Sequence, residues 1–263
     1  MNYAMTLTFG DQAENHTGME VLGNAAESGF SHDDLKNIQK LIGPEQNKYP
    51  TIETELIDLR DLVDVLPEGC SELEGAYVLI LRGFLNKERA DGVLKENMAF
   101  EWDKKLWNSR QKKVQNKHAR HNVCYGAIGQ ESDFENGKGT IIPYNQVPLT
   151  NEIIRCLPQL LGEKGEEMVC EGNLYFDIKK TGIGWHGDTE RKKVFGVRCG
   201  ATIPLCFRWW YKNASFGETL KIDLCHGDAY IMSEKAVGSD WKRSSIPTLR
   251  HSAGSDKYTK VTK

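Results

Sequence analysis

Nowhere in this chain do eighteen apolar residues run together, so no segment reads as a membrane-crossing helix. The opening residues, MNYAMTLTFGDQAENHTG, hold no basic stretch followed by an apolar one, and no secretory leader is predicted. Internal repeats and low-complexity tracts are also missing, which excludes a solenoid. Cysteine is scattered: the seven, at positions 70, 124, 156, 170, 199, 206 and 225, include no C-x-x-C pair. An odd count without that spacing argues against a disulfide framework, a zinc site and an iron–sulfur centre. It points instead to a reducing, intracellular compartment, cytoplasmic or nuclear. What remains is a globular chain of 263 residues, 39% hydrophobic and 27% charged, enough for one domain with an extension and expected to be a monomer.

The net charge of −3 conceals a division. Residues 1–75 carry 15 acidic and 4 basic side chains, a balance of −11, and the remainder stands at +8. Over 1–75 hydrophobic patterning is weak apart from a short helix near Asp33 to Ile42, and 10–30 is rich in Gly, Asn, Ser and Glu. This part is read as an acidic N-terminal extension, partly disordered, with 76–263 as the folded domain. Ala76 to Leu81 has the length and composition of a buried strand. Gly83 marks a turn, and Asn86 stands where an N-cap belongs before a helix carrying Ala90, Val93, Leu94 and Phe100. From Asn122 onward short strands alternate with Gly, Asn and Asp turns. In 172–178, Asn173, Tyr175 and Asp177 share one face while Leu174, Phe176 and Ile178 share the other. Val194 to Tyr211 holds two strands, Thr219 to Leu224 another, and His226-Gly227-Asp228 turns into Ala229 to Met232. The fold class is mostly β with flanking helices, a sandwich or jelly roll.

The chemistry concentrates in His186-Gly187-Asp188 and, some sixty residues on, His251. Two imidazoles and one carboxylate form the facial ligand set that holds non-haem Fe(II) and leaves coordination positions open. A lone His-x-Asp arises readily by chance, so its surroundings decide. An oxoacid chelated to such an iron needs a cation and hydroxyl donors for its far carboxylate, recurring at period two on a nearby strand. Lys257, Thr259, Val261 and Lys263 recur in that way, and Asn173 and Tyr175 offer an amide and a phenol on one face. A basic segment from Lys104 to Arg120, with seven Lys or Arg, leads into Arg120-His121-Asn122-Val123-Cys124-Tyr125. Its ordinary reading is a solvated face; beside a pocket it would meet phosphates.

In order and spacing these motifs resemble the AlkB-type Fe(II)/2-oxoglutarate dioxygenases over about 76–263. Asn173-Leu174-Tyr175 stands where that family has N-x-Y, and His186-Gly187-Asp188 is followed by an acidic residue, Glu190. Arg198-Cys199-Gly200-Ala201, Leu224 to Asp228, and Arg250-His251-Ser252 follow in turn, and Lys257 to Lys263 stands where the family has R-x-N-x-T-x-R. The resemblance implies a double-stranded β-helix with iron at its mouth and 2-oxoglutarate and O2 as co-substrates. It implies His186, Asp188 and His251 as metal ligands, and Asn173, Tyr175, Lys257 and Lys263 around the co-substrate. Glu190, Tyr125, Arg120 and Trp185 would meet an alkylated nucleobase in nucleic acid, to be demethylated or hydroxylated. The departure is at Lys257 and Lys263, point cations where the family has bidentate arginines; Arg250 and Arg198 are alternatives. Glu190 has a plainer reading as a turn carboxylate paired to Arg191 or Lys192, Tyr125 as a half-buried strand tyrosine, and Lys257–Lys263 as a solvated tail. The adjacent Trp209 and Trp210 face opposite sides of one strand, and at least one is expected in the core. Two other functions stay open: hydroxylation of a protein side chain or small metabolite, and a non-catalytic binding module.

Overall fold

Met5, Leu7 and Phe9 alternate with Thr6 and Thr8, and this makes Ala4–Gly10 the first strand, β1, with all seven residues buried. The computed structural model describes residues 1–43 and 52–261. A small hairpin follows β1, β2 (Gln12–Glu14) with β3 (Val21–Gly23). Helix α1 (His32–Ile42) opens on a capping box: Ser31 Oγ accepts from the Asp34 amide, and the Asp34 carboxylate accepts from the Ser31 amide. Strands β4 (Glu53–Asp58) and β5 (Tyr77–Arg82) pair, and the chain turns at Gly83 into α2 (Lys87–Met98), capped by Asn86 as its sequence predicts.

The basic segment folds as a second hairpin, β6 (Lys105–Asn108) with β7 (Lys113–Asn116). Then come β8 (His121–Gly126), β9 (Ile141–Pro143), and α3 (Pro148–Leu161), which starts on a proline whose missing N–H costs nothing there. Six strands follow: β10 (Val169–Tyr175), β11 (Gly182–His186), β12 (Val194–Gly200), β13 (Ile203–Tyr211), β14 (Ala214–Leu224) and β15 (Ala229–Met232). The short α4 (Glu234–Val237), β16 (Thr248–Gly254) and the one-turn α5 (Asp256–Thr259) complete the described chain.

The protein is mostly β. Its large sheet has the order β4-β5-β15-β12-β1-β10-β8-β9, antiparallel except between β8 and β9, and its small sheet has the order β11-β16-β13-β14. One face of the large sheet carries Met5, Leu7, Phe9, Val123, Leu174 and Val197, packed under apolar residues of α1, α2 and α3. The opposite face meets the small sheet. Val78, Ile80, Val194 and Met232 pack there against Phe207, Trp209, Ile222 and Leu249. Trp209 is fully buried in this layer, and Trp210 faces the other way.

The expected boundary at residue 75 is not present. β1 lies between β10 and β12 in the middle of the large sheet, with Thr6 opposite both Asn173 and Arg198. Its apolar residues gain full burial, which outweighs the acidic composition around them. Segment 10–30 likewise holds β2 and β3, and Asp11 accepts from the amides of Ala26, Lys192 and Lys193. Where a strand was expected over 257–263, Asp256–Thr259 is a turn of helix, α5, with Lys257 exposed over the ring of Tyr258. Lys263 lies outside the described residues.

Candidate metal centre

His186 ends β11 and His251 lies opposite it in β16, across an irregularity in the ladder between Ile183 and His186. The ring centroids are 4.3 Å apart. Asp188 is turned toward both, its Oδ1 at 3.3 Å from His186 Nε2 and 3.5 Å from His251 Nε2. The three donor atoms lie within 4.8 Å of one another. Gly187 makes the corner: a Cβ there would collide with the carbonyl of Gly238 and approach Trp241 Cβ to 2.9 Å. The Asp188 amide donates to Val237 O at 3.0 Å and fixes the carboxylate's aim.

The donor set fits a divalent cation on electrostatic grounds. His186 Nδ1 faces two carbonyls, Gly184 O at 2.8 Å and His251 O at 3.1 Å, and so carries the proton. Its Nε2 lone pair then points at the Asp188 carboxylate, acceptor against acceptor, an arrangement that a cation between them relieves. Burial, followed by the nearby His186, lowers the His251 pKa and favours the neutral imidazole a metal requires. Burial alone would raise the Asp188 pKa, but the buried Arg191 guanidinium holds the carboxyl well below its usual range. Metal–ligand bonds of about 2.1 Å at right angles put neighbouring donors about 3 Å apart, close to the 3.3 and 3.5 Å between Asp188 Oδ1 and the two imidazoles.

Arg191 is the buried centre of the surrounding charge. Its Nη2 donates to Glu171 and to Glu190, each at 2.6 Å, and its Nε lies 3.5 Å from Asp188 Oδ2. Three carboxylates thus share one guanidinium, a negative surplus suited to a bound cation. Glu190 is therefore paired to Arg191, as its plainer reading has it, while also lining the cavity beside the triad. Glu14, brought in by β2, lines the same cavity. Burial, then the charges of Glu190 and Glu171, push its carboxyl up to about 7.

The cavity encloses about 170 Å³ between the two sheets. Thr6, Thr8, Asn173, Tyr175 and Arg198 enter it from the large sheet. Gly196 has no side chain to keep Tyr230 from lying across β12 into it; a Cβ there would strike the Tyr230 ring. Arg198 is 1% exposed, stacked 5.5 Å over the Tyr175 ring. Its Nε and Nη1, and the neighbouring Thr6 Oγ1, have no hydrogen-bond partner among the described residues. Asp228 does not serve, because its carboxylate is taken by Arg82 and the amides of Gly83 and Cys225. Asn173 is engaged along the sheet: its Oδ1 accepts from Arg120 Nε at 2.6 Å and from Asn122 Nδ2 at 2.8 Å, and its Nδ2 donates to Glu171.

Of the residues picked from the sequence, His186, Asp188, His251, Asn173, Tyr175, Glu190 and Arg120 all line this cavity. Three do not. Lys257 is on the exposed α5. Tyr125 points to the helix side of the large sheet, fully buried, its hydroxyl donating to Asn97 Oδ1 at 2.5 Å; strand alternation sends its neighbours Asn122 and Cys124 the other way. Trp185 lies on the outer face of the small sheet against Trp210, because the residue before an inward His186 must face outward. In the basic segment, Lys117 is buried, its ammonium donating to Asn15 and Asn122, so it meets no phosphate. Thr6, Glu14 and Tyr230 were missed, and Arg191 was read only as a partner for Glu190. Only Thr6 had a readable signal, the alternation of 4–10.

No known protein-family model matches the chain. It is 39% identical over 260 residues, 97% of each sequence, to an uncharacterized protein of Acanthamoeba polyphaga mimivirus. At that identity and coverage, the chain belongs to the same family as this mimiviral protein.

Proposed function

We propose that this protein is an Fe(II)/2-oxoglutarate-dependent dioxygenase that demethylates or hydroxylates alkylated bases in nucleic acid. One observation carries the reading: the His186–Asp188–His251 cluster and the unpaired, buried guanidinium of Arg198 open onto one small cavity. A dicarboxylate with an oxo group at one end satisfies both, since one end chelates a metal and the other needs a cation. In this reading the two sheets form a double-stranded β-helix. The period-two polar strand expected after His251 is supplied from the other end of the chain, by Thr6 and Thr8 of β1.

What ferrous iron, 2-oxoglutarate and oxygen supply together is the oxidising power to hydroxylate a substrate C–H. The chain does the rest. Arg198 binds the far carboxylate through its free N–H groups, with Thr6 Oγ1 beside it, taking the part assigned to Lys257 from sequence. Arg191 keeps Asp188 ionised, and the carbonyls of Gly184 and His251 hold His186 in the ligating tautomer. Tyr175 and Tyr230 wall the cavity against water. Arg120, aimed by Asn173, and Glu190, aimed by Arg191, stand on its lining where a flipped base would present its polar edge.

The test is turnover with Fe(II), 2-oxoglutarate and N-methylated oligonucleotides, with methylated peptides in parallel. Succinate in step with formaldehyde or a hydroxylated base, lost in His186→Ala, is the expected result. Succinate with oligonucleotides untouched and peptides modified would move the substrate to protein; no succinate under any condition would leave a binding module.

A further inference from the structure

The outer face of the small sheet carries an arrangement that its own stability does not explain. Arg208 of β13 stands directly opposite Arg250 of β16. Like charges in that position repel, yet neither guanidinium has a carboxylate partner among the described residues. Arg208 has a single side-chain bond, Nη1 to Thr219 Oγ1 at 3.0 Å, and the buried Nε atoms of both arginines are unpaired there. Arg250 is held between two indoles, 4.8 Å from the Trp210 ring centre and 5.0 Å from that of Trp241. Trp210 in turn meets Trp185 at 5.1 Å. The series Trp241, Arg250, Trp210, Trp185 is thus a row of flat groups, Trp185 tilted at 51° to Trp210, with partly exposed tryptophans at both ends. Exposed Lys242 adds a cation over Trp241. Asp240, the carboxylate next to Trp241 in the chain, is bound to Lys235.

We propose that this face is a binding platform for single-stranded nucleic acid, with bases laid on Trp185 and Trp241 and phosphates held by Arg208 and Arg250. The chemistry selects the occupant. Arginines without a carboxylate partner ask for anions, and partly exposed indoles beside them ask for flat rings at short intervals; a nucleotide strand has both, and an acidic peptide has only the first. Duplex bases present no free faces, so a single strand fits better. Trp241 and Lys242 also line the metal cavity, so a strand following the row arrives at the cavity mouth. The proposal rests on the dioxygenase reading only for that last connection.

The experiment is anisotropy of a labelled twelve-nucleotide oligothymidylate with the metal-free full chain, between 50 and 200 mM salt. The Arg208→Gln/Arg250→Gln chain, checked for folding by its melting curve, is expected to bind at least roughly tenfold more weakly, and its salt slope to fall by about 1.4, or about 0.7 per lost phosphate contact. Trp185→Ala is expected to weaken binding roughly 5- to 150-fold and leave the slope unchanged, the signature of lost stacking. An unchanged slope in the double variant would overturn the proposal. So would transfer of the whole salt effect to a Lys104/Lys105/Lys112/Lys113 variant of the hairpin, or competition by polyglutamate as strong as by oligothymidylate. Because no metal is used, row-dependent binding in a protein without succinate formation would keep the platform and sink the dioxygenase reading; the converse result would do the reverse.

Discussion

Replacing Arg198 by methionine separates the binding role of this residue from any structural one, because the two predict opposite signs. In the ligand-free chain Arg198, 1% exposed, has two guanidinium nitrogens unpaired among the described residues, with the Tyr175 face as compensation. Exchanging an uncompensated buried ion for an apolar side chain of similar volume is neutral or stabilising by about 1–4 kcal/mol. Losing the cation–π contact offsets about 0.5–2 kcal/mol of that. Ligand-free Arg198→Met is therefore expected to melt no lower than wild type, and up to several degrees higher at about 2–4 °C per kcal/mol. With 2-oxoglutarate at a hundred times its dissociation constant, wild type gains about 2.7 kcal/mol. Truncating one partner of a buried charge pair costs about 2–5 kcal/mol of binding, so at the same concentration the variant should gain below about 1 kcal/mol. The assay is anaerobic thermal unfolding with Mn(II), a redox-silent stand-in, with and without 2-oxoglutarate. A variant that melts several degrees lower without ligand, yet keeps the full ligand shift, would refute the reasoning and return Arg198 to the core.

Deleting residues 1–10 should abolish folding, since Met5, Leu7 and Phe9 are fully buried and about 1.5–3 kcal/mol each approaches a domain's whole stability; a truncated chain with native circular dichroism and protease resistance would restore the extension read from sequence. Glu14→Gln addresses the acidic rim. The folded pKa of Glu14, about 7, stands above the 4.5 of the free group, so the folded state holds the extra proton between those values and loses stability as pH rises through them. Glu14→Gln should therefore gain melting temperature relative to wild type from pH 5 to pH 8; a constant difference would show that Glu14 titrates normally.

The triad was legible because His186-Gly187-Asp188 is local in sequence and Arg250-His251-Ser252 follows at the spacing of the family it resembles; the strand of the second imidazole, TLRHSAG, has few β-formers and was not. The strand alternation around Asn173 and Tyr175 was legible for the same reason: period two is a short-range property. β1 was not, because composition averaged over 1–75 hid a seven-residue alternation inside an acidic segment. The period-two cations legible in the sequence are Lys257 to Lys263, but Ser255 starts a helical turn there over Asp256–Thr259. Tyr125 and Trp185 failed on facing: alternation within a strand is readable, but which face meets the cavity depends on sheet neighbours fixed by distant chain. Arg191 and Glu14 act through a charge cluster assembled from β2, β10 and the loop after β11, and no spacing in the sequence announces it.

Under the dioxygenase reading, His186, Asp188 and His251 together hold one ferrous ion to which an oxoacid chelates. Its most direct test is the visible spectrum of the anaerobic protein titrated with Fe(II) and then 2-oxoglutarate. A metal-to-ligand charge-transfer band that saturates at one equivalent of iron and is absent in Asp188→Ala and His251→Ala is expected. No band in the wild-type protein, or one that survives both substitutions, would contradict that reading.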